Sequence, residues 1–145
     1  AVLEAHQPQH RTIALHPTSH IVHHDCLRDG PAQAASFESL SLIHLPGFSA
    51  VRFGRMDSAP TFEDVKAVLE GGKVGVLVLE LPQRMNGGAV ISWDDLVKVR
   101  ELASSLGVKL HMDGARLWEV QPYYQRSLPE ICALFDSVYV SFYKG

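Results

Sequence analysis

Residues 74–79 read Val-Gly-Val-Leu-Val-Leu, an apolar run without a single polar side chain. An unbroken run of this kind is expected of a strand covered by helices on both faces, and such strands belong to parallel sheets. The neighbouring sequence supplies the helices. Thr61-Phe62-Glu63-Asp64 resembles a capping box with Asp in place of the usual Glu or Gln. The helix it opens should end at Gly71-Gly72, where a left-handed residue terminates a helix at little cost. Ser92-Trp93-Asp94-Asp95 caps a second helix, whose apolar positions Leu96, Val99, Ala103 and Leu106 follow helical spacing up to Gly107. Val108–Met112 reads as a further strand, residues near Leu128–Phe135 as a helix, and Ser137–Phe142 as another strand. Towards the N-terminus, Arg11–Leu15 and Phe37–Leu45 are weaker strand candidates, separated by the loop His16-Pro17-Thr18-Ser19-His20 and a turn at Gly30-Pro31. Strands alternating with helices of this length imply an α/β fold with a mainly parallel sheet flanked by helices.

Composition narrows the class. A chain of 145 residues suits one domain with a true core. No apolar run approaches the ~20 residues that span a bilayer, and the first residues, Ala1-Val2-Leu3-Glu4-Ala5-His6, do not read as a signal peptide. A net charge of −3 argues against a nucleic-acid partner, since a basic surface supplies most of that affinity. Cys26 and Cys132 form no Cys-x-x-Cys pair, so reduced thiols and a cytoplasmic location are the simplest expectation.

Open parallel sheets bind ligands beyond the carboxyl ends of their strands. The polar residues at those ends are Asp113 and Lys144 on the last two strands, and Glu80, Gln83 and Arg84 after the Val74 strand. Asp113 and Lys144 stand 31 positions apart, room for one helical crossover back to the same sheet edge. A lysine can form an imine with an aldehyde, and a carboxylate can keep a pyridine nitrogen protonated; together they suit pyridoxal 5'-phosphate. Each residue also has a plainer reading. Lys144 could be a solvated surface lysine, Asp113 a helix N-cap, and Arg116 a partner of Glu119 or Glu80. Glu80 could be a buried structural acid, and Ser141 a strand residue rather than a phosphate ligand. His16, His20, His23 and His24 are spaced closely enough for a metal to be conceivable. Pro17 breaks a helix through them and no His-Glu-x-x-His occurs, so no metal is expected.

The segments His111-Met112-Asp113-Gly114-Ala115-Arg116-Leu117-Trp118, Leu79-Glu80-Leu81-Pro82-Gln83-Arg84, His16-Pro17-Thr18-Ser19-His20 and Ser141-Phe142-Tyr143-Lys144-Gly145 resemble the threonine aldolase and β-eliminating lyase family in order and spacing. The resemblance implies a type I aminotransferase-like fold, pyridoxal 5'-phosphate as cofactor, a small amino-acid substrate, and a homodimer or homotetramer. The activity it implies is cleavage of Cα–Cβ in a 3-hydroxy amino acid such as L-threonine, giving glycine and an aldehyde. The alternatives are β-elimination, or an inactive remnant serving as a binding or oligomerisation module. It further implies that Lys144 carries the cofactor, Asp113 partners the pyridine nitrogen, His20 stacks on the ring, and Arg116 binds the substrate carboxylate or the ring-hydroxyl side. Gln83 stands at a substrate position where many threonine aldolases have a histidine near the hydroxyl, and Gln83 cannot act as a base. That leaves His20, His23, His24 or a water for the task. The family's upstream phosphate loop and its C-terminal small domain have no counterpart here. Residues 1–145 are therefore expected to be a partial cofactor-binding large domain, inactive by itself.

Overall fold

The computed structural model describes residues 12–15, 49–72 and 74–143. The expected strand Phe37–Leu45, the His16–His20 loop, His23, His24 and Lys144 lie outside the described residues.

The described elements run β1 (Thr12–Leu15), β2 (Ser49–Arg52), α1 (Phe62–Glu70), β3 (Val74–Glu80), a 3₁₀ turn (Arg84–Asn86), α2 (Trp93–Ser105), β4 (Lys109–Gly114), α3 (Leu117–Tyr124), α4 (Leu128–Cys132) and β5 (Ser137–Val140). All five strands join one sheet in the order β2-β1-β3-β4-β5, and every pairing is parallel. The expected α/β architecture is thus present. No described helix is long and apolar enough to cross a membrane.

The helix boundaries follow from capping chemistry. Thr61 accepts from the Asp64 N–H while the Asp64 carboxylate accepts from the Thr61 N–H, so Asp completes the box as Glu would. Gly72, at φ +63°, provides the left-handed exit. Ser92 caps α2 through the Asp95 N–H, and Gly107 at φ +70° closes it. Ser127 and Glu130 form a second capping box on α4, which stops at Cys132, short of the expected Phe135.

Alternation along the strands sorts side chains onto two faces. Leu77, Leu79, Leu110 and Met112 face the main core, where Val65 and Leu69 of α1, Leu96, Val99 and Ala103 of α2, and Leu117, Val120 and Tyr124 of α3 pack against them. The Tyr124 hydroxyl donates to the Ile91 carbonyl at 2.7 Å, which ties α3 to the segment before α2. Ile13, Leu15 and Val78 form a separate buried cluster on the opposite face, built from strands alone among the described residues.

Candidate functional site

The polar residues gather on that second face, at the carboxyl edge. Glu80 ends β3 and is the register partner of Asp113 on β4, so both side chains fall on the face opposite the helix-covered core. Both are buried, Glu80 at 3% exposure and Asp113 at 7%. The backbone fastens the two strand ends together just beyond them, where the Leu81 N–H donates to the Asp113 carbonyl at 2.9 Å.

Asp113 is not the N-cap of the following helix. Its Oδ1 accepts from the Ala115 N–H at 3.1 Å, while Arg116 takes the cap position of α3 with φ −129° and ψ 32°. The short turn arises because the strand runs through Gly114 before the helix can start at Leu117. Arg116 is therefore half-buried at the mouth of the turn, and its guanidinium makes no ion pair or hydrogen bond with Glu119, Glu80 or any other described residue.

Glu80 Oε1 accepts from the Arg84 N–H at 3.3 Å, a structural role that shapes the start of the loop. Arg84 itself is exposed. Gln83 is 1% exposed. Its N–H donates to the Ala89 carbonyl at 2.9 Å, and its carbonyl accepts from Asn86 and Gly88. Gly87 and Gly88, at φ +60° and +81°, turn the chain back for this closure. Gln83 Oε1 takes the Asn86 Nδ2 donor at 3.4 Å, whereas Gln83 Nε2 is buried with no hydrogen-bond partner.

On the other flank, β5 ends at Val140 rather than Phe142, so Ser141 is not a strand residue. It sits just past the strand end, 3% exposed, with its hydroxyl buried and unpartnered. Buried polar atoms without partners are rare in folded proteins and call for an explanation. Here two of them, on Gln83 and Ser141, follow the strands on either side of β4, the strand of Asp113.

Sequence reasoning did not single out His111. It lies two residues before Asp113, on the same face, and its Nδ1 shares a hydrogen bond with Ser137 Oγ at 2.8 Å across paired strands. Burial pushes its pKa down, while the nearby Asp113 charge opposes that shift. The period-2 placement of His111 with Asp113 was the available signal.

Comparison with known proteins follows the same lines. The 70 residues of this chain that align with the aldolase vrtJ of Penicillium aethiopicum are 43% identical to it, covering 48% of this chain and 17% of that protein. The alanine racemase TOXG of Cochliobolus carbonum is 41% identical over 59 residues, 41% of this chain and 15% of that protein. The crystal structure of a Listeria monocytogenes EGD-E protein, named as a candidate L-allo-threonine aldolase, superposes with a TM-score of 0.76 at 39% identity. That match covers 96% of this chain and 34% of the Listeria chain, so the residues here span about a third of its length. The family model for beta-eliminating lyases matches residues 1–145. The chain belongs to the beta-eliminating lyase family.

Proposed function

We propose that this chain forms the cofactor-holding part of a pyridoxal-phosphate lyase that cleaves Cα–Cβ of a 3-hydroxy amino acid, releasing glycine and an aldehyde. The observation that carries the reading is the buried Asp113 carboxyl group at the carboxyl edge of a parallel sheet, between strands that are followed by the unpartnered polar atoms of Gln83 and Ser141.

The donor set fits pyridoxal phosphate. Asp113 is a buried carboxyl group able to hold a proton on a pyridine nitrogen, and a charge-assisted bond of that kind contributes roughly 1.5–3 kcal/mol. The unpartnered Ser141 hydroxyl would donate to a phosphate oxygen. Arg116, unpaired and half-buried, would take the substrate carboxylate with the planar fork that Arg offers such groups. Lys144, three residues beyond Ser141, would attach the cofactor aldehyde, and His20 would stack on its ring.

When bound, the cofactor supplies an electron sink for the pair released from the breaking bond. Asp113 keeps that sink protonated. Arg116 orients the amino acid by its carboxylate. A base then removes the β-hydroxyl proton; Gln83 has no titratable group for it, which leaves the imidazoles of His20, His23 or His24, or a water. The proposal extends to a homodimer or homotetramer in the cytoplasm. The exposed rings of Trp118 and Phe142, 6.1 Å apart, offer apolar surface for such an assembly.

A second reading is reaction that begins with removal of the Cα proton, followed by expulsion of the β-substituent in elimination or by return of the proton to the other face in racemisation; it is favoured by the likeness to the alanine racemase TOXG. Asp113, Arg116 and Lys144 would serve either chemistry. Incubating the protein, at its full natural length and loaded with cofactor, with L-threonine or phenylserine separates them. Glycine plus the matching aldehyde is expected; a keto acid with ammonia, or inversion at Cα without cleavage, would overturn the cleavage reading.

A further inference from the structure

The strand register sets out a small grid of side chains on the second face. Val78, His111 and Ser137 form one row across β3, β4 and β5, and Glu80, Asp113 and Tyr139 form the next row towards the carboxyl edge. His111 thus stands one row below Asp113 on the same strand. Its ring has little freedom. Nδ1 shares a hydrogen bond with Ser137 Oγ at 2.8 Å, which pins the imidazole sideways to β5. Lys109, two residues before His111 on that face, reaches away to Asp136 Oδ1 at 3.1 Å. Burial of the ring favours its neutral form, and among the described residues Asp113 is the charge that acts against that shift.

A neutral imidazole carries one N–H, and its surroundings decide which nitrogen bears it. The Ser137 hydroxyl can donate to Nδ1 or accept from it, so it leaves the choice open. A carboxylate does not, because it favours an N–H over a lone pair on the nitrogen that faces it. The proton therefore belongs on Nε2, with Nδ1 accepting from Ser137. Such a dipole is useful to Asp113. Burial disfavours a charge there, and so does Glu80 as its register partner, yet a protonated pyridine nitrogen is held by the charged form. The Ala115 N–H supports Oδ1 from the turn that follows. We infer that His111 is a positioning residue for the cofactor ring, its tautomer fixed by Ser137 and its Nε2–H steadying the Asp113 carboxylate that holds the ring nitrogen; this rests on the cofactor reading above. A neutral donor does this without adding a second cation to compete with the pyridinium for Asp113.

The test compares two probes on the full-length protein freed of cofactor: pyridoxal 5'-phosphate, and its analogue in which C–H replaces the ring nitrogen. Both keep the aldehyde and the phosphate, so the ratio of their affinities, measured by calorimetry, isolates what the ring nitrogen contributes. Wild type should prefer pyridoxal 5'-phosphate by at least about tenfold, the ratio that ~1.4 kcal/mol confers. His111→Asn can keep the bond to Ser137 but lacks the distal nitrogen, and the preference should fall at least about threefold. His111→Gln carries a neutral N–H out to the distal position and should keep the preference within about twofold. Added to Asp113→Asn, the His111→Asn change should leave the ratio where Asp113→Asn alone puts it, because the imidazole acts through the carboxylate. An undiminished preference in His111→Asn overturns the inference, as does equal weakening of both probes, the mark of a residue that only holds the fold. An equal drop in both His111 variants overturns it too, and so does a further drop in the double variant. A wild type that binds the two probes alike overturns the cofactor reading itself, before any variant is made.

Discussion

A Cβ placed on Gly114 would stand 2.7 Å from the carbonyl oxygen of Tyr139 and 3.3 Å from the Leu117 Cβ. The end of β4 therefore presses directly on the backbone of β5, and α3 starts in the space that the missing side chain leaves. Since the close atom is backbone, it cannot rotate aside. Gly114→Ala should destabilise the fold by about 1–3 kcal/mol, the usual cost of overpacking. It should also disturb the adjacent Asp113. Urea unfolding of wild type and variant measures this; a change within 0.5 kcal/mol, the scatter of neutral surface substitutions, would show that the two strands can part freely.

Asp136 gathers three partners at the other end of the sheet. Its Oδ2 accepts from the Leu110 N–H at 2.9 Å and from Arg100 at 2.6 Å, and its Oδ1 accepts from Lys109 at 3.1 Å. The Leu110 N–H first, then Arg100 and Lys109, hold its carboxyl far below the usual carboxylate range. A carboxyl depressed on folding adds stability above its unfolded pKa, near 3.9, and loses it as pH falls towards the folded value. Asp136→Asn should thus cost about 1 kcal/mol at pH 7, since solvent screening of its exposed ion pairs reduces what bonds to a charged group contribute. The gap to wild type should begin to narrow below about pH 4, because the unfolded chain's Asp136 then takes up a proton that the folded carboxylate still refuses. Denaturation of both proteins at pH 7 and pH 3 tests this, and an unchanged gap would contradict the assignment.

The features legible in the sequence were those whose causes are local. The Thr61 and Ser92 caps, the glycine exits and the apolar run of β3 each depend on residues a few positions apart, and each stands where it was expected. β2 was not legible: Ser-Ala-Val-Arg is four residues with exposed ends at the sheet edge, and only its pairing with β1 makes it a strand. Asp113 was identified by its position at a strand end, but its partner Ala115 and the displacement of the cap to Arg116 depend on how the turn closes. The buried hydroxyl of Ser141 and amide of Gln83 were illegible for the same reason, because burial is set by elements distant in sequence. Asp136, the hub of three charge-assisted bonds, carries no motif at all.

If the Asp113 carboxylate keeps the ring nitrogen protonated, a neutral amide in its place should hold the cofactor but not activate it. Asp113→Asn should retain cofactor absorbance while threonine cleavage falls at least about a hundredfold, each ~1.4 kcal/mol of lost transition-state stabilisation being tenfold. Steady-state kinetics on the loaded variant provide the measurement. Turnover near wild type would remove Asp113 from the chemistry.

The account turns on one bond, that between Lys144 and the cofactor. Borohydride reduction of the loaded full-length protein, followed by proteolysis and mass spectrometry, locates it. The cofactor mass should appear on the peptide that contains Ser141–Lys144. Label on Lys98, Lys109 or any other lysine, with Lys144 unmodified, would contradict the assignment of the sheet edge as the cofactor site.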